Sequence, residues 1–241
     1  MPKNKKTKYS LLGVLIFGFY FFFVHHLVVN PNNKINHHSS ESSNTDRNSL
    51  IREVIFDSTI NDNTKYIALQ TSAKNLFIIN DKNDTVYNHI DQVNGAEFID
   101  FNDDGFDDIL FHYITNVPDI NDLALFDSTK NKFIIVKGFD NYPASIKLKG
   151  TDFYYSYHRS GCADANWESD LFYIKNFKTF RIGNISGIGC ENGEKTGIYI
   201  SKVENDTLLL IEEVQRGSGF FEGKWEFIKE YWSKNFETFN Y

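Results

Sequence analysis

Short apolar and aromatic runs, separated by Asn, Asp, Gly and Lys, recur along the chain from about residue 50 onward. Few of them keep the period of about 3.6 residues that an amphipathic helix needs, and they are rich in β-branched and aromatic residues. One run begins roughly every eight to twelve residues, a spacing typical of all-β sandwiches, barrels and propellers. The pattern predicts strands over residues 66–70, 75–80, 109–115, 132–137, 152–158, 169–174, 197–203 and 207–214.

An internal repeat favours a propeller-like array of short antiparallel sheets among these architectures. The dipeptide Lys-Asn occurs four times beside aromatic residues, at intervals of 48, 45 and 59 residues. Such a period is typical of radially arranged four-stranded sheets, with each dipeptide at the outer hairpin of a blade. The alternative is that Lys and Asn simply favour turns in a chain rich in both. The four copies are Lys82-Asn83, Lys130-Asn131, Lys175-Asn176 and Lys234-Asn235.

The fifth predicted strand carries aromatic residues on both of its faces. Phe153, Tyr155 and Tyr157 alternate with Tyr154 and His158. Because successive side chains of a strand point to opposite faces, neither face is purely solvent-facing. We expect this strand to be covered on both sides, as an inner strand of a propeller or a strand of a sandwich near a binding groove would be.

The first fifty residues have a different pattern. Residues 1–8 form a basic tail with four lysines, and residues 9–29 form an uncharged run that would extend roughly 31 Å as a helix, about the thickness of one hydrocarbon core. The sequence therefore predicts one transmembrane signal-anchor helix, with the basic tail in the cytoplasm and the remainder in the periplasm or outside the cell. A cleaved signal peptide is the alternative, although no small-residue cleavage pattern follows the run.

Composition divides the rest of the chain into a tether and one domain. Residues 30–49 are rich in Asn, Ser and His and predict a flexible polar tether, which leaves residues 50–241 as one exported domain. Six of the 25 Lys and Arg residues and two of the 32 Asp and Glu residues lie in the first fifty positions, so the remainder has a net charge of −11. Such a domain would repel nucleic acid and attract cations or basic protein surfaces.

Two cysteines, Cys162 and Cys190, both lie in the predicted exported domain. An even count in an oxidising compartment favours a disulfide between them. The alternative is a catalytic thiol at Cys162 with His158 four residues earlier. That spacing does not define a protease site, because the partners of a catalytic thiol meet through the fold and not through adjacency in the sequence.

The segment with the most closely spaced metal-ligating side chains lies between two predicted strands. Residues 100–108 contain five aspartates, one asparagine and one glycine, and carboxylate, amide and backbone oxygens are the ligands that Ca²⁺ prefers. Mutual repulsion of the carboxylates would destabilise the fold unless a cation neutralised it, so we predict a structural calcium ion. The predicted ligands are the side chains of Asp100, Asn102, Asp104 and Asp108 and the backbone carbonyl of Phe106.

Residues 100–111, Asp-Phe-Asn-Asp-Asp-Gly-Phe-Asp-Asp-Ile-Leu-Phe, resemble the calcium loop of FG-GAP and VCBS-type repeats, which occur in integrin-like propellers. The resemblance implies a loop between two strands that binds calcium through the side chains of its first, third, fifth and ninth positions. It also implies a propeller-like fold. An EF-hand, in contrast, would need an acid at the twelfth position, where this chain has Phe111, and helices on both sides.

The chain also resembles a smaller group of bacterial envelope proteins that inhibit lysozyme-type peptidoglycan hydrolases. The shared features are an export signal, one such loop and aromatic-rich strands downstream. Inhibitors of this kind often block the catalytic acid of the hydrolase with a Ser-Gly loop that ends in Tyr. This chain has Ser218 in a glycine-rich segment, with Phe220 and Phe221 in place of the Tyr. The resemblance implies that Ser218 contacts a partner protein. Two adjacent Phe residues in a flexible loop indicate either a further contact surface, which makes Phe220 and Phe221 candidate partner-binding residues, or packing into the core.

A second candidate binding segment lies beside the predicted disulfide, where His158 and Arg159 are candidate partner-binding residues. We predict no catalytic residue and expect an envelope or extracellular protein as the partner. One alternative is an exported hydrolase with His158 as base and Ser160 as nucleophile, although neighbouring positions rarely come within hydrogen-bond reach. The other alternative is a glycan-binding surface module. The three tryptophans, Trp167, Trp225 and Trp232, are expected to pack in the core.

Overall fold

The computed structural model describes residues 53–190, 195–215 and 223–239. The described chain is mainly β, in three sheets whose strands pair antiparallel, so the predicted all-β class is confirmed. All eight predicted strand segments overlap observed strands. The first sheet contains β1 (Val54–Asn61), β2 (Thr64–Gln70), β3 (Leu76–Asn80) and β4 (Thr85–His89). The second contains β5 (Gly95–Ile99), β6 (Asp108–His112), β7 (Asn121–Asp127) and β8 (Lys132–Ile135).

The third sheet is larger and is followed by a helix. Its strands are β9 (Ile146–Lys147), β10 (Phe153–Tyr155), β11 (His158–Gly161), β12 (Asn166–Lys175), β13 (Lys178–Ile188), β14 (Gly197–Glu204) and β15 (Thr207–Val214). The helix α1 spans Lys224–Asn235. The first two sheets are four-stranded meanders in chain order, the topology expected of a blade, but the three sheets do not close into a barrel or a propeller within the described residues.

Three of the four Lys-Asn copies lie at hairpin turns, as predicted. Asn83, Asn131 and Asn176 have φ angles of 63°, 51° and 52°, in the left-handed region that Asn tolerates better than most residues. The fourth prediction is wrong, because Lys234 and Asn235 form the last residues of α1. The backbone context of the dipeptide therefore decides its structure.

The helix was not predicted, and its sequence explains why it forms. Ile228 and Trp232 are four residues apart on one face of α1 and are both buried. Together they pack against the third sheet, in a cluster that includes Trp167 and Ile185. The indole Nε1 of Trp232 also donates a hydrogen bond of 2.8 Å to Ser169 Oγ in β12. A short amphipathic face thus supplies the outer cover of the sheet.

The sheets pack face to face as successive layers. Alternate residues of β6 point to opposite faces, so Phe111 packs against the first sheet and Leu110 against the third. The same alternation in β10 places Tyr154 between the second and third sheets and Tyr155 in the core beneath α1. The predicted coverage of this strand on both sides is therefore confirmed. The middle sheet is buried on both faces.

The predicted basic tail, transmembrane helix and tether, residues 1–8, 9–29 and 30–49, lie outside the described residues. Of the helices in the described part of the chain, none has the length and apolar character needed to cross a bilayer. Ser218, Phe220 and Phe221 also lie outside the described residues.

Candidate functional site

The predicted calcium ligands lie on residues 100–107, here called the acidic loop, and on the first residue of β6. The loop joins β5 to β6, as the resemblance implies. Asp100 accepts hydrogen bonds of 3.0 Å from the amides of both Asp104 and Gly105. Asn102 Oδ1 accepts a bond of 3.0 Å from the amide of Asp104, and Asp104 accepts one of 2.9 Å from that of Phe106. The side-chain oxygens therefore curl back over the loop backbone.

Asp108 plays a different part from the other predicted ligands. Its side chain is fully buried. Its two oxygens accept hydrogen bonds from the backbone amides of Phe101, at 3.1 Å, and Phe126, at 2.8 Å. Burial raises the pKa of this carboxyl to about 7, with repulsion from Asp104 adding to the shift, while the backbone hydrogen bonds oppose it. The carboxylate ties the start of the loop to β7, so it holds the loop in place whether or not an ion is bound.

Residues outside the motif also anchor the acidic loop, and sequence reasoning missed them. Asn61, the last residue of β1, exchanges two hydrogen bonds with the backbone of Asp107, of 2.7 and 2.9 Å. Lys147 of β9 donates to the carbonyl of Asn102 and forms an ion pair of 3.0 Å with Asp103. Lys147 thus neutralises an aspartate that is not among the predicted ligands. These contacts join the loop to the first and third sheets.

The donor set of the acidic loop is compatible with calcium. Every predicted ligand atom is an oxygen, as calcium prefers, and the positive φ angles of Asp103 and Gly105, 56° and 89°, form a tight turn in the loop. The carboxylates of Asp100, Asp104 and Asp108 do not all lie within 4.8 Å of one another, so an ion would have to draw them together. Asp100, Asn102 and Asp104 are the residues that would hold an ion, with the Phe106 carbonyl and Asp108 completing the predicted set. Calcium binding by this loop remains a prediction.

The predicted disulfide is confirmed. Cys162 and Cys190 are bonded, and their Cα atoms lie 6.2 Å apart. The bridge joins the turn after β11 to the segment that follows β13. Asn166 Oδ1 accepts the amides of Gly189 and Cys190, at 2.9 and 3.1 Å, so the second half of the bridge is also fixed by hydrogen bonds. A catalytic thiol at Cys162 is excluded in this oxidised form.

A groove of two adjoining cavities, of about 300 and 410 Å³, lies between β11 and the start of α1. We call it the Trp225 groove, because Trp225 lines both cavities, together with Tyr157 and Ala144. Trp225 is 50% exposed, so the expectation that this tryptophan packs in the core is wrong. The expectation is confirmed for Trp167 and Trp232, which are both fully buried.

An ion pair between a buried lysine and a partly exposed aspartate holds the aromatic wall of this groove. Lys224 is only 5% exposed, and its Nζ lies 2.6 Å from Asp164 Oδ2. The ammonium also lies 5.0 Å from the ring centroid of Tyr157 and 5.3 Å from that of Trp225, within the range of cation–π attraction. The two rings themselves are 3.9 Å apart. Trp225 is therefore exposed on one side and fixed on the other.

The electrostatics of the groove follow from this arrangement. Burial raises the pKa of Asp164, but its hydrogen bonds from Lys224 and Tyr157 lower it by more, so the pKa lies below the ordinary value of 3.8. Burial raises the pKa of the Tyr157 hydroxyl, and its bond to the Asp164 carboxylate raises it further. Asp164 is thus ionised and Tyr157 neutral at neutral pH, so the carboxylate can hold the Lys224 Nζ in position.

Two predicted binding residues, His158 and Arg159, line the smaller cavity beside Asp119. Nδ1 of His158 is buried and has no hydrogen-bond partner within the described part of the chain. A catalytic histidine is usually oriented by an acid at this position, so the geometry of His158 lends no support to the hydrolase alternative. Trp225 and Lys224 were missed as site residues, whereas Asp164 lies in the candidate binding segment beside the predicted disulfide. The only sequence signal was the glycine-rich segment immediately before Lys224.

Comparisons with known proteins give little information. No protein-family model and no curated protein matches the chain. Among solved structures, the chain is similar to a type IV secretion system related protein from Xanthomonas, with a TM-score of 0.40 and 10% sequence identity. The likeness covers 66% of this chain and 93% of that chain. At this TM-score the likeness carries no argument about function.

Proposed function

We propose that this chain is a membrane-anchored, calcium-stabilised binding protein of the cell envelope, and that it binds another protein through the Trp225 groove. The proposal rests on Trp225, which is half-exposed and whose ring is held on its other side by the Lys224–Asp164 pair. Rigid, partly exposed aromatic residues beside a cavity are typical anchors of protein interfaces, because little conformational entropy is lost when they bind. Arg159 supplies a second residue type that is enriched at such interfaces.

The other parts of the proposal have separate support. The disulfide is compatible with an oxidising compartment, and the basic tail followed by an apolar run supports membrane anchoring. The oxygen-rich acidic loop between two strands supports calcium binding. Two consecutive four-stranded meanders packed face to face support a propeller-like arrangement. The net charge of the exported part favours a partner with a basic surface.

The proposal is tested with the full-length chain in mild detergent, used as bait in envelope extracts and then with each purified candidate partner. The wild-type chain should form a stoichiometric complex. Trp225→Ala should weaken the complex by at least about 2 kcal/mol, the size expected for an interface anchor. Phe180→Ala is a matched control, since Phe180 is also an exposed aromatic residue, at 36%, but is not part of the groove. Equal affinities of the two variants would refute the groove as the binding site.

A glycan-binding module is a second candidate, and the exposed face of Trp225 is the observation that favours it. Sugars stack on such faces while polar groups beside them, here Arg159 and Asp119, accept or donate hydrogen bonds. Sedimentation of the chain with purified peptidoglycan distinguishes the two candidates. Co-sedimentation that is lost in Trp225→Ala, without any protein complex in the extract, would favour the glycan. Hydrolysis of peptidoglycan that is lost in His158→Ala would instead favour the enzyme alternative.

A further inference from the structure

A second cluster of metal-ligating side chains lies away from both the acidic loop and the Trp225 groove. His89 ends β4, Asp91 follows two residues later, and Asp122 lies in β7. One ligand atom from each of these three residues lies within 4.8 Å of the other two. The hydroxyl of Tyr113, just after β6, lies among them. The first sheet and the second sheet thus each contribute to one cluster.

The imidazole of His89 is held in a fixed orientation. Its side chain is only 3% exposed, and its ring stacks on Phe111 with a centroid distance of 4.2 Å and an interplanar angle of 15°. Nε2 consequently points to the Tyr113 hydroxyl, at 2.8 Å, and to Asp122 Oδ2, at 3.7 Å. A ligand that is already oriented by packing loses little entropy when a metal binds.

The charge of the cluster is suited to a cation. Asp91 is exposed and Asp122 is partly exposed, and in the described part of the chain neither forms an ion pair with a lysine or an arginine. Tyr113 donates a hydrogen bond of 2.6 Å to Asp122 Oδ2, and an ion bound at this oxygen would replace that hydrogen bond. Two carboxylates therefore face one imidazole without a basic side chain to balance them.

The ligand types and their distances point to a transition metal. Tetrahedral Zn²⁺ binds nitrogen and oxygen at about 2.0–2.2 Å, which places neighbouring ligand atoms roughly 3.3 Å apart. The distance of 3.7 Å between His89 Nε2 and Asp122 Oδ2 needs only a small movement to reach that value. An imidazole ligand favours zinc over calcium, which takes oxygen ligands.

We infer that His89, Asp91 and Asp122, with the hydroxyl of Tyr113 beside them, form a binding site for a zinc-class divalent ion. The ion joins the end of the first sheet to the third strand of the second sheet. We take its role as structural, because the ion would connect two sheets and because His89, Asp91 and Asp122 line neither cavity of the Trp225 groove. The site is independent of the acidic loop, so zinc and calcium bind without competing.

The test uses the full-length chain, stripped with a chelator and returned to buffer that contains calcium. Titration calorimetry with ZnCl₂ should show one ion per chain, and the melting temperature should rise with zinc. Asp91→Asn and Asp122→Asn should each lower zinc affinity at least about tenfold. The cobalt-loaded wild-type chain should show the visible absorption of a tetrahedral site, and both variants should lose it.

Asp91→Asn is the decisive variant, because its side chain is exposed and the variant should fold as the wild type does. Asp119→Asn is the matched control, an exposed aspartate on the same connection between β6 and β7 as Tyr113 that is not in the cluster. Two results would overturn the inference. The first is equal zinc affinity in the wild type, Asp91→Asn and Asp119→Asn. The second is a wild-type chain that binds no zinc, which would mean that the His89–Tyr113–Asp122 hydrogen bonds form without an ion.

Discussion

Gly187 of β13 is the position where one added methyl group should be most damaging. It pairs with Trp167 across the β12–β13 ladder, and the indole lies over the glycine. A Cβ at residue 187 would stand 2.2 Å from Trp167 Cε2, 2.4 Å from Nε1 and 2.6 Å from Cζ2. The indole is fully buried, so it cannot swing into solvent to relieve the clash.

The magnitude follows from the distance that the indole would have to move. Non-bonded carbon atoms prefer about 3.5–4.0 Å, so Gly187→Ala requires a relative shift of roughly 1.3 Å or more in a close-packed core. Overpacking of this kind usually costs about 1–3 kcal/mol. We expect the upper end of that range for Gly187→Ala, about 3 kcal/mol, because both residues lie on hydrogen-bonded central strands.

Urea unfolding, followed by tryptophan fluorescence and circular dichroism, measures this cost. The matched control is Gly95→Ala in β5, where the nearest atom to an added Cβ is His112 Cδ2 at 3.5 Å, an ordinary contact. The control should differ from the wild type by less than about 1 kcal/mol. The argument is refuted if the two variants have equal stability. A double variant that also carries Trp167→Phe should recover part of the loss, since the smaller ring makes room for the methyl group.

Three further predictions concern the disulfide, the acidic loop and the groove. Replacement of both Cys162 and Cys190 with Ser should lower the free energy of unfolding by about 3.5 kcal/mol, from the entropy of closing a loop with a sequence separation of 28 residues; an unchanged urea midpoint would contradict this. Chelation of calcium should lower the melting temperature, and Asp104→Ala should abolish that response. Asp103→Ala is the control and should preserve the response, because Asp103 is exposed and is not a predicted ligand. Because the pKa of Asp164 is lower in the folded chain than its ordinary value of 3.8, its stabilising contribution is complete above about pH 4 and is lost as the pH falls through the folded pKa. Acid titration of stability should therefore be shallower in Asp164→Asn than in the wild type, and identical profiles would show that the pair with the helix lysine contributes nothing.

Strand positions could be predicted well because their signal is local. Alternating apolar residues, aromatic enrichment and turns with Asn in the left-handed region all depend on residues close together in the sequence. The helix α1 was missed because its buried face has few positions, chiefly Ile228 and Trp232. The same dipeptide that turns a hairpin at Lys175-Asn176 closes a helix at Lys234-Asn235, so a two-residue pattern without its context does not decide between them.

Candidate sites whose residues are neighbours in the sequence could be predicted. Sites whose residues come together only through the fold could not. The acidic loop is one short segment, so its ligands were found in one motif. The Trp225 groove joins residues that are about 60 positions apart, as the separation between Lys224 and Asp164 shows. No local pattern marks Lys224 as a buried cation. The cluster at His89 and Asp122 was missed for the same reason, since its members come from two different sheets.

The third sheet gives a physical route by which the acidic loop can affect the groove. Lys147 of β9 contacts the loop through Asn102 and Asp103, and its neighbour Ile146 lines the larger cavity of the Trp225 groove. A two-residue strand such as β9 has few hydrogen bonds of its own, so its position depends on what holds Lys147. An ion that fixes the loop would fix the Asn102 carbonyl and, through Lys147, the groove wall at Ile146. In the proposed function, a calcium ion in the loop would therefore act on partner binding through the shape of the groove, without contacting the partner.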